Sequence, residues 1–367
     1  NVAYHAPPPT LDPTQTTSHA TRDIAHHIYE QLVTFDRHLE VQPMLAESYD
    51  INEEAHTITF ELRKGITFHN GENMHADDVV ASMEKWAAES AQAESILEGI
   101  TFEQDGDHTV IAKLETVGSL DMFMFADVTQ MAAIMPKEII ENATEDGVTE
   151  YVGTGPYQFE EWKNNQYIHL TRFDDYQSLD GPADGLTGQK SAFVDEIYFH
   201  IVTDADTRVA GLQSGKYHIA NVIPYDSAEM LGRDENIVNT PVQGAFPAFV
   251  FNKKEGVFSN QHMRQAVAAA LNIEDMMLAA YRSENFFIMN HALMLEDQTT
   301  WYTDAGKDQY DQRNTEKARK LLREAGYIGE KIRLLTTREY EDFYTLAVAA
   351  QQQLRSIGMN VILEVFD

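Results

Sequence analysis

The sequence predicts an α/β fold with mixed sheets, and three observations carry that reading. Segments of strict apolar–polar alternation recur along the chain, as strands with one buried face require. Segments with apolar residues three and four positions apart lie between them, as helices with one buried stripe require. The last third runs strand, helix, strand at short spacing, which implies a right-handed crossover onto a parallel or mixed sheet. The 367 residues amount to more than one ordinary domain and can bury a substantial core.

The opening pairs a short apolar strand with Pro7-Pro8-Pro9-Thr10-Leu11-Asp12-Pro13, an extended stretch in which proline forbids a helix. A helical pattern runs from Thr21 to Val33, with Ile24, Ile28 and Leu32 on one stripe. From Glu47 short strands and tight turns take over. His56 to Leu62 alternates, placing Ile58, Phe60 and Leu62 on one buried face. Lys64-Gly65 and Asn70-Gly71 are turns, with Ile66 and Phe68 continuing the apolar pattern between them. Asn73 to Trp86 reads as a helix whose first turn carries Asp77 and Asp78, where carboxylates suit the helix dipole.

Residues 101–115 alternate around a turn at Gly106, and Tyr167 to Thr171 alternates after the turn Gly153-Thr154-Gly155-Pro156. Asp180 to Gly188 is a loop by composition. Asp206 to Leu212 is helical and closes near Gly215. After Gly244 the pattern predicts a strand from Phe246 to Phe251, then a helix capped near Ser259 with Met263, Val267 and Leu271 inside. Thr315 caps a helix ended by Gly326, Lys331 to Thr336 is a strand, Glu341 to Ile357 a helix, and Asn360 to Phe366 a strand. The chain stops at Asp367 directly after that strand, which reads as a protein cut short.

Composition narrows the function. The formal net charge of −32 repels phosphate backbones and anionic lipid heads, so nucleic acid is not an expected partner. It also suits solubility in salty or alkaline surroundings. No run approaches the roughly 20 apolar residues needed to cross a bilayer. Cysteine is absent, which removes disulfides, thiolate metal sites and cysteine nucleophiles, and suits an oxidising compartment managed without disulfides. The first residues have neither a basic nor an apolar leader segment, so the expectation is a chain from which any signal segment has been removed.

The 14 histidines do not carry metal-binding spacing. His26 and His27 are adjacent and diverge on a helix, and His5, His19, His69 and His75 form no H-E-x-x-H pattern. No metal and no cofactor is expected. The Gly153-Thr154-Gly155-Pro156 turn is not a phosphate cradle, because Pro156 lacks an N–H where a cradle needs one. Neither G-x-S-x-G nor a Walker loop is present, so no catalytic residue is named and an α/β hydrolase is the minor alternative.

His56 to Trp86, reading HTITFELRKGITFHNGENMHADDVVASMEKW, resembles the signature of the family 5 extracellular solute-binding proteins. These are the dipeptide-, oligopeptide- and nickel-binding receptors of ABC importers. Leu11-Asp12-Pro13, Tyr29 to Val33, Pro43 to Ser48, Gly153 to Tyr157, Phe251-Asn252, Met263 to Val267 and Lys317 to Tyr327 follow in the family's order. Departures are His75, where the family has Thr or Ser, and Asn285 to Met294, which lacks the usual Gly/Pro-rich stretch. In peptide binders a later segment supplies an aspartate for the peptide amino group, and it would fall beyond Asp367.

The resemblance implies a bilobal type II periplasmic-binding-protein fold with an extra inserted domain. The first domain would be discontinuous (1–44 and 152–244), the insert would cover 45–151, and an incomplete third domain would begin at 245. Ligand would be held in an interlobe cleft closed by a hinge. By position, Thr17, Ser18, His19 and Arg22 would lie in a ligand-facing loop, and Thr129 and Gln130 in a segment of the insert that reaches the cleft. Arg338, with Tyr340 beside it, would fork onto a peptide carboxylate. Phe246 would wall the cleft or pack in the core. The implied function is an extracytoplasmic receptor, periplasmic or lipid-anchored on the outer face. It would act as a monomer that hands a small peptide or peptide-like solute to a membrane permease. A nickel chelate, an opine or an oligosaccharide are alternative ligands, and a sensing module is an alternative role.

Overall fold

The computed structural model describes residues 1–118, 120–240, 246–296, 302–338 and 340–366. They fall into two compact units, Asn1–Ile223 and Pro224–Asp367. The first unit begins with β1 (Val2–Tyr4), α1 (His19–Ile28), β2 (Val33–Phe35), β3 (Val41–Pro43), β4 (Ala46–Asn52) and β5 (Thr57–Leu62). It continues with α2 (Ala76–Glu89), α3 (Ala91–Ile96), β6 (Thr101–Gln104), β7 (Thr109–Lys113), α4 (Asp121–Ala126) and α5 (Lys137–Glu141). It ends with β8 (Tyr157–Lys163), β9 (Tyr167–Arg172), β10 (Glu196–Ile201), α6 (Ala205–Gln213) and β11 (Ile219–Ala220).

Two cores form within this unit. One sheet has the order β4-β5-β7-β6, all antiparallel. Its alternation turns Ile58, Phe60 and Leu62 inward, each at most 1% exposed, against Met83 and Trp86 of α2. The other sheet has the order β11-β1-β10-β9-β8. It is mixed: β1 runs parallel to β10 and β11, while β9 is antiparallel to β8 and β10. Ile168, Leu170 and Phe199 of this sheet pack with Ile24, Ala25 and Ile28 of α1.

The second unit contains α7 (Tyr225–Leu231), α8 (Gln261–Ala270), α9 (Ile273–Tyr281), α10 (Thr315–Glu324), β12 (Lys331–Thr337), α11 (Glu341–Ser356) and β13 (Asn360–Phe366). β12 and β13 pair in parallel along their whole length, joined by α11 as the crossover. Met263, Val267, Leu322, Leu346, Leu354 and Val361 share the core.

Several expectations are corrected. The first helix stops at Ile28 rather than Val33, because Tyr29 turns extended and Glu30 and Gln31 are buried by partners far along the chain. Gln31 donates to the carbonyls of Phe125 and Asp127, both at 3.0 Å. Residues 246–251 form no strand: Phe246 is 65% and Val250 95% exposed, so the apolar alternation there covers no core. Phe246 is accordingly not a core residue. The caps shift by one residue, with Asn260 and Asn314 rather than Ser259 and Thr315 accepting the first helical N–H groups. Gly244 and the expected boundary at 244/245 lie outside the described residues, as does Asp367.

Candidate functional site

The residues that place Thr17 to Arg22 begin with Asp12. This carboxylate is fully buried and accepts from Thr14 N at 3.1 Å, Thr14 Oγ1 at 2.7 Å and Val148 N at 3.0 Å. The chain then rises to Ser18, the N-cap of α1, whose hydroxyl caps nothing and whose N–H is bonded to Thr16 Oγ1 at 3.1 Å. Thr17 and His19 are exposed. Arg22, one turn into the helix, lies 2.9 Å from His19 Nδ1 and 3.3 Å from Asp23 Oδ1. Tyr4 binds the other side of Asp23, donating at 2.5 Å to Oδ2. These four candidates therefore share one helix N-terminus, with an unused hydroxyl, an imidazole and a guanidinium within one turn.

Thr129 and Gln130 follow α4. The Thr129 N–H donates to Asp127 Oδ1 at 2.6 Å. Gln130 is held at both ends: its amide donates to the Thr14 carbonyl at 3.1 Å, and its own carbonyl accepts from Trp86 Nε1 at 2.8 Å. The structure thus ties Gln130, though not Thr129, to the segment entering α1. Sequence reasoning assigned no part in this arrangement to Lys85, although its spacing to Glu89 on α2 was a visible helical pair.

In the second unit Arg338 follows β12 and is exposed. Its guanidinium lies 4.9 Å from the Tyr344 ring centroid and 3.4 Å from the Tyr344 hydroxyl. Among the described residues its polar side-chain partner is Tyr344. Tyr340 precedes α11 as its N-cap residue, half-buried, with its ring 5.4 Å from Phe343. Phe246 is exposed in the same unit.

Burial sets the protonation of three histidines of the first unit. His26 is held down to about 4, first by burial and then by the Lys190 charge. His27 is lowered by burial, and His69 is brought to about 4 for the same reason. All three are neutral imidazoles at neutral pH. Glu30, 3% exposed, accepts from Tyr176 Oη at 2.6 Å and Thr154 Oγ1 at 3.0 Å and pairs with Lys190 at 3.3 Å. It fastens the loop after β9 to the segment that follows α1. Among the described residues no group of three or more histidine, aspartate or glutamate side chains could hold a metal ion.

The family model for bacterial extracellular solute-binding proteins, family 5, matches residues 40–367. The chain belongs to that family. Among its relatives is a probable peptide ABC transporter periplasmic-binding protein, y4tO, of Sinorhizobium fredii, 27% identical over 96% of this chain and 67% of its own length. The chain thus spans about two thirds of that relative. The structure of the binding protein AgaA from A. tumefaciens R10, solved with agropinic acid, superposes at a TM-score of 0.79 with 25% identity, covering 100% of this chain and 72% of AgaA. DppA of Helicobacter pylori, solved with the peptide STSA, gives a TM-score of 0.81 at 24% identity over 100% of this chain and 73% of DppA. The fold is that of the type II periplasmic binding proteins, and the family is one of substrate-binding receptors. Among the described residues no helix is long and apolar enough to cross a membrane.

Proposed function

We propose that this chain is the solute-binding receptor of an ABC importer. It captures a small peptide or peptide-like solute outside the cytoplasm and delivers it, unaltered, to a membrane permease. The match of the family model to residues 40–367 carries this reading. The protein acts as a monomer and not as an enzyme: it binds, orients and releases without making or breaking a bond. Its domains follow 1–44 with 152–244, the insert 45–151, and a third from 245. The apolar core built from β4, β5, β6, β7 and α2 supports the insert, although Met131, Ala133, Met135 and Val148 pack into the core of the first domain.

The solute is recognised in each unit by its own residues. In the second unit Arg338 grips a carboxylate through two parallel charge-assisted hydrogen bonds, with Tyr340 and Phe246 supplying apolar surface. In the first unit Thr17, Ser18 and His19 offer polar contacts beside Arg22, with Thr129 and Gln130 adjoining. The similarity to AgaA supports an opine as the second reading, because its cargo is also an acid.

Thermal unfolding with a panel of di- to pentapeptides, opines, nickel–histidine and short sugars tests this. A peptide that binds only the folded state stabilises it by about 2.7 kcal/mol at a hundredfold excess over Kd. The midpoint is expected to rise with peptides and to stop rising in Arg338→Ala. A rise with opines alone selects the second reading, and no rise with any solute overturns the receptor.

A further inference from the structure

Lys85 lies outside the proposed solute contacts but touches the groups that hold two of their segments. Its side chain, 6% exposed, extends from α2 to a 2.8 Å ion pair with the fully buried Asp12. It donates to Thr14 Oγ1 at 2.5 Å and also pairs with Glu89 one turn along the helix, whose carboxylate lies beside the same hydroxyl. The next residue, Trp86, holds the Gln130 carbonyl, while the Gln130 amide returns to the Thr14 carbonyl. One turn of α2 therefore fixes residue 14 through Lys85 and residue 130 through Trp86. Gly147 closes the far side: a Cβ there would sit 2.6 Å from Asp12 Oδ2 and 2.9 Å from Gln15 Cγ.

A buried cation between two carboxylates is a weak source of net stability, since apolar residues of equal volume do as well. What it supplies is geometry: Lys85 meets Asp12, Thr14 and Glu89 at once. We infer that Lys85 is a positioning residue that sets the register of residues 14–18 against residues 129–130. It thereby shapes the solute-facing surface of the first unit. The inference rests on the reading of those segments as solute contacts.

Hydrogen exchange of the whole chain, read by mass spectrometry, separates positioning from plain stabilisation and needs no ligand. In Lys85→Met, amides of residues 14–19 and 128–131 are expected to exchange about tenfold faster, with those of β5 and of the second unit unchanged. Glu89→Gln, at a half-exposed partner, is expected to give the same pattern at smaller amplitude and serves if Lys85→Met does not fold. Ser82→Ala is the control. It removes a buried hydroxyl from the same helix, bonded to Met135, without touching residues 14 or 130. It is expected to leave both segments protected. Unchanged exchange at the two segments in Glu89→Gln and Lys85→Met, or a uniform rise across the chain, overturns the proposal. Where the wild type binds a tripeptide probe, Glu89→Gln is expected to weaken it about tenfold at an unchanged midpoint. A wild type that binds no peptide defeats the receptor reading and leaves the exchange result standing.

Discussion

His69 links pH to stability through three hydrogen bonds. Its own N–H donates to the Gly153 carbonyl at 3.0 Å, Nε2 lies 2.9 Å from the Gly155 carbonyl, and Nδ1 accepts from the Gly153 N–H at 3.3 Å. This set requires the neutral tautomer with its proton on Nε2. A second proton, on Nδ1, would face the Gly153 N–H donor to donor. Burial already holds the group down to about 4 against an ordinary value of 6.5. The sign follows directly: below pH 6.5 the unfolded chain takes a proton that the folded chain refuses, so stability falls as pH falls and levels off near pH 4. The slope is about 1.4 kcal/mol per pH unit, for a total between about 3 and 4 kcal/mol. Urea unfolding of wild type and His69→Gln across this range gives the assay. Carboxylates, His26 and His27 titrate in both proteins, so the difference between them isolates His69. The stability advantage of the wild type should shrink as pH falls from 6.5. An advantage that stays constant from pH 6.5 to pH 4 would refute the reasoning.

Four further outcomes follow from packing. Gly153→Ala places a Cβ 2.2 Å from the Ile28 carbonyl oxygen, and because backbone cannot yield, a loss of about 3 kcal/mol is expected in urea midpoints. Gly65→Ala, with nothing within 4 Å but φ at +75°, should cost only about 1 kcal/mol by the same measurement. Glu30→Ala strips Thr154, Tyr176 and Lys190 of a shared acceptor, for an expected loss of about 3 kcal/mol and early proteolysis in the loop after β9. Phe60→Ala removes a ring that meets Phe125 edge-on at 5.4 Å in the first core, and should cost about 4 kcal/mol in calorimetric unfolding.

Where one face of an element meets solvent and the other the core, the sequence was readable. The alternation of His56 to Leu62 is the two-sided environment of β5, and β12, α11 and β13 stand within a residue or two of where periodicity puts them. β8 escaped because a register shift between Phe159 and Glu161 resets its alternation midway. Residues 246–251 misled for the opposite reason, since their apolar alternation has no sheet beneath it. The turn at Gly153 to Pro156 was legible as a turn, but not the closeness that demands it, with a Gly155 Cβ falling 2.5 Å from the His27 carbonyl. At the candidate site, local pattern gave a helix near Thr21 and a strand before Arg338, while the resemblance alone put Ser18 and Arg338 forward. It gave neither the Lys85–Asp12 pair, 73 positions apart, nor the Gln130 bridge, because such partners meet only once the chain has folded.

Native mass spectrometry of the chain with an equimolar pool of defined peptides most directly tests its role as a receptor. One-to-one adducts are expected, with released ligands that have the masses of the input peptides, and they are expected to be lost in Arg338→Ala. A chain that holds no peptide, or that returns cleaved products, would contradict it.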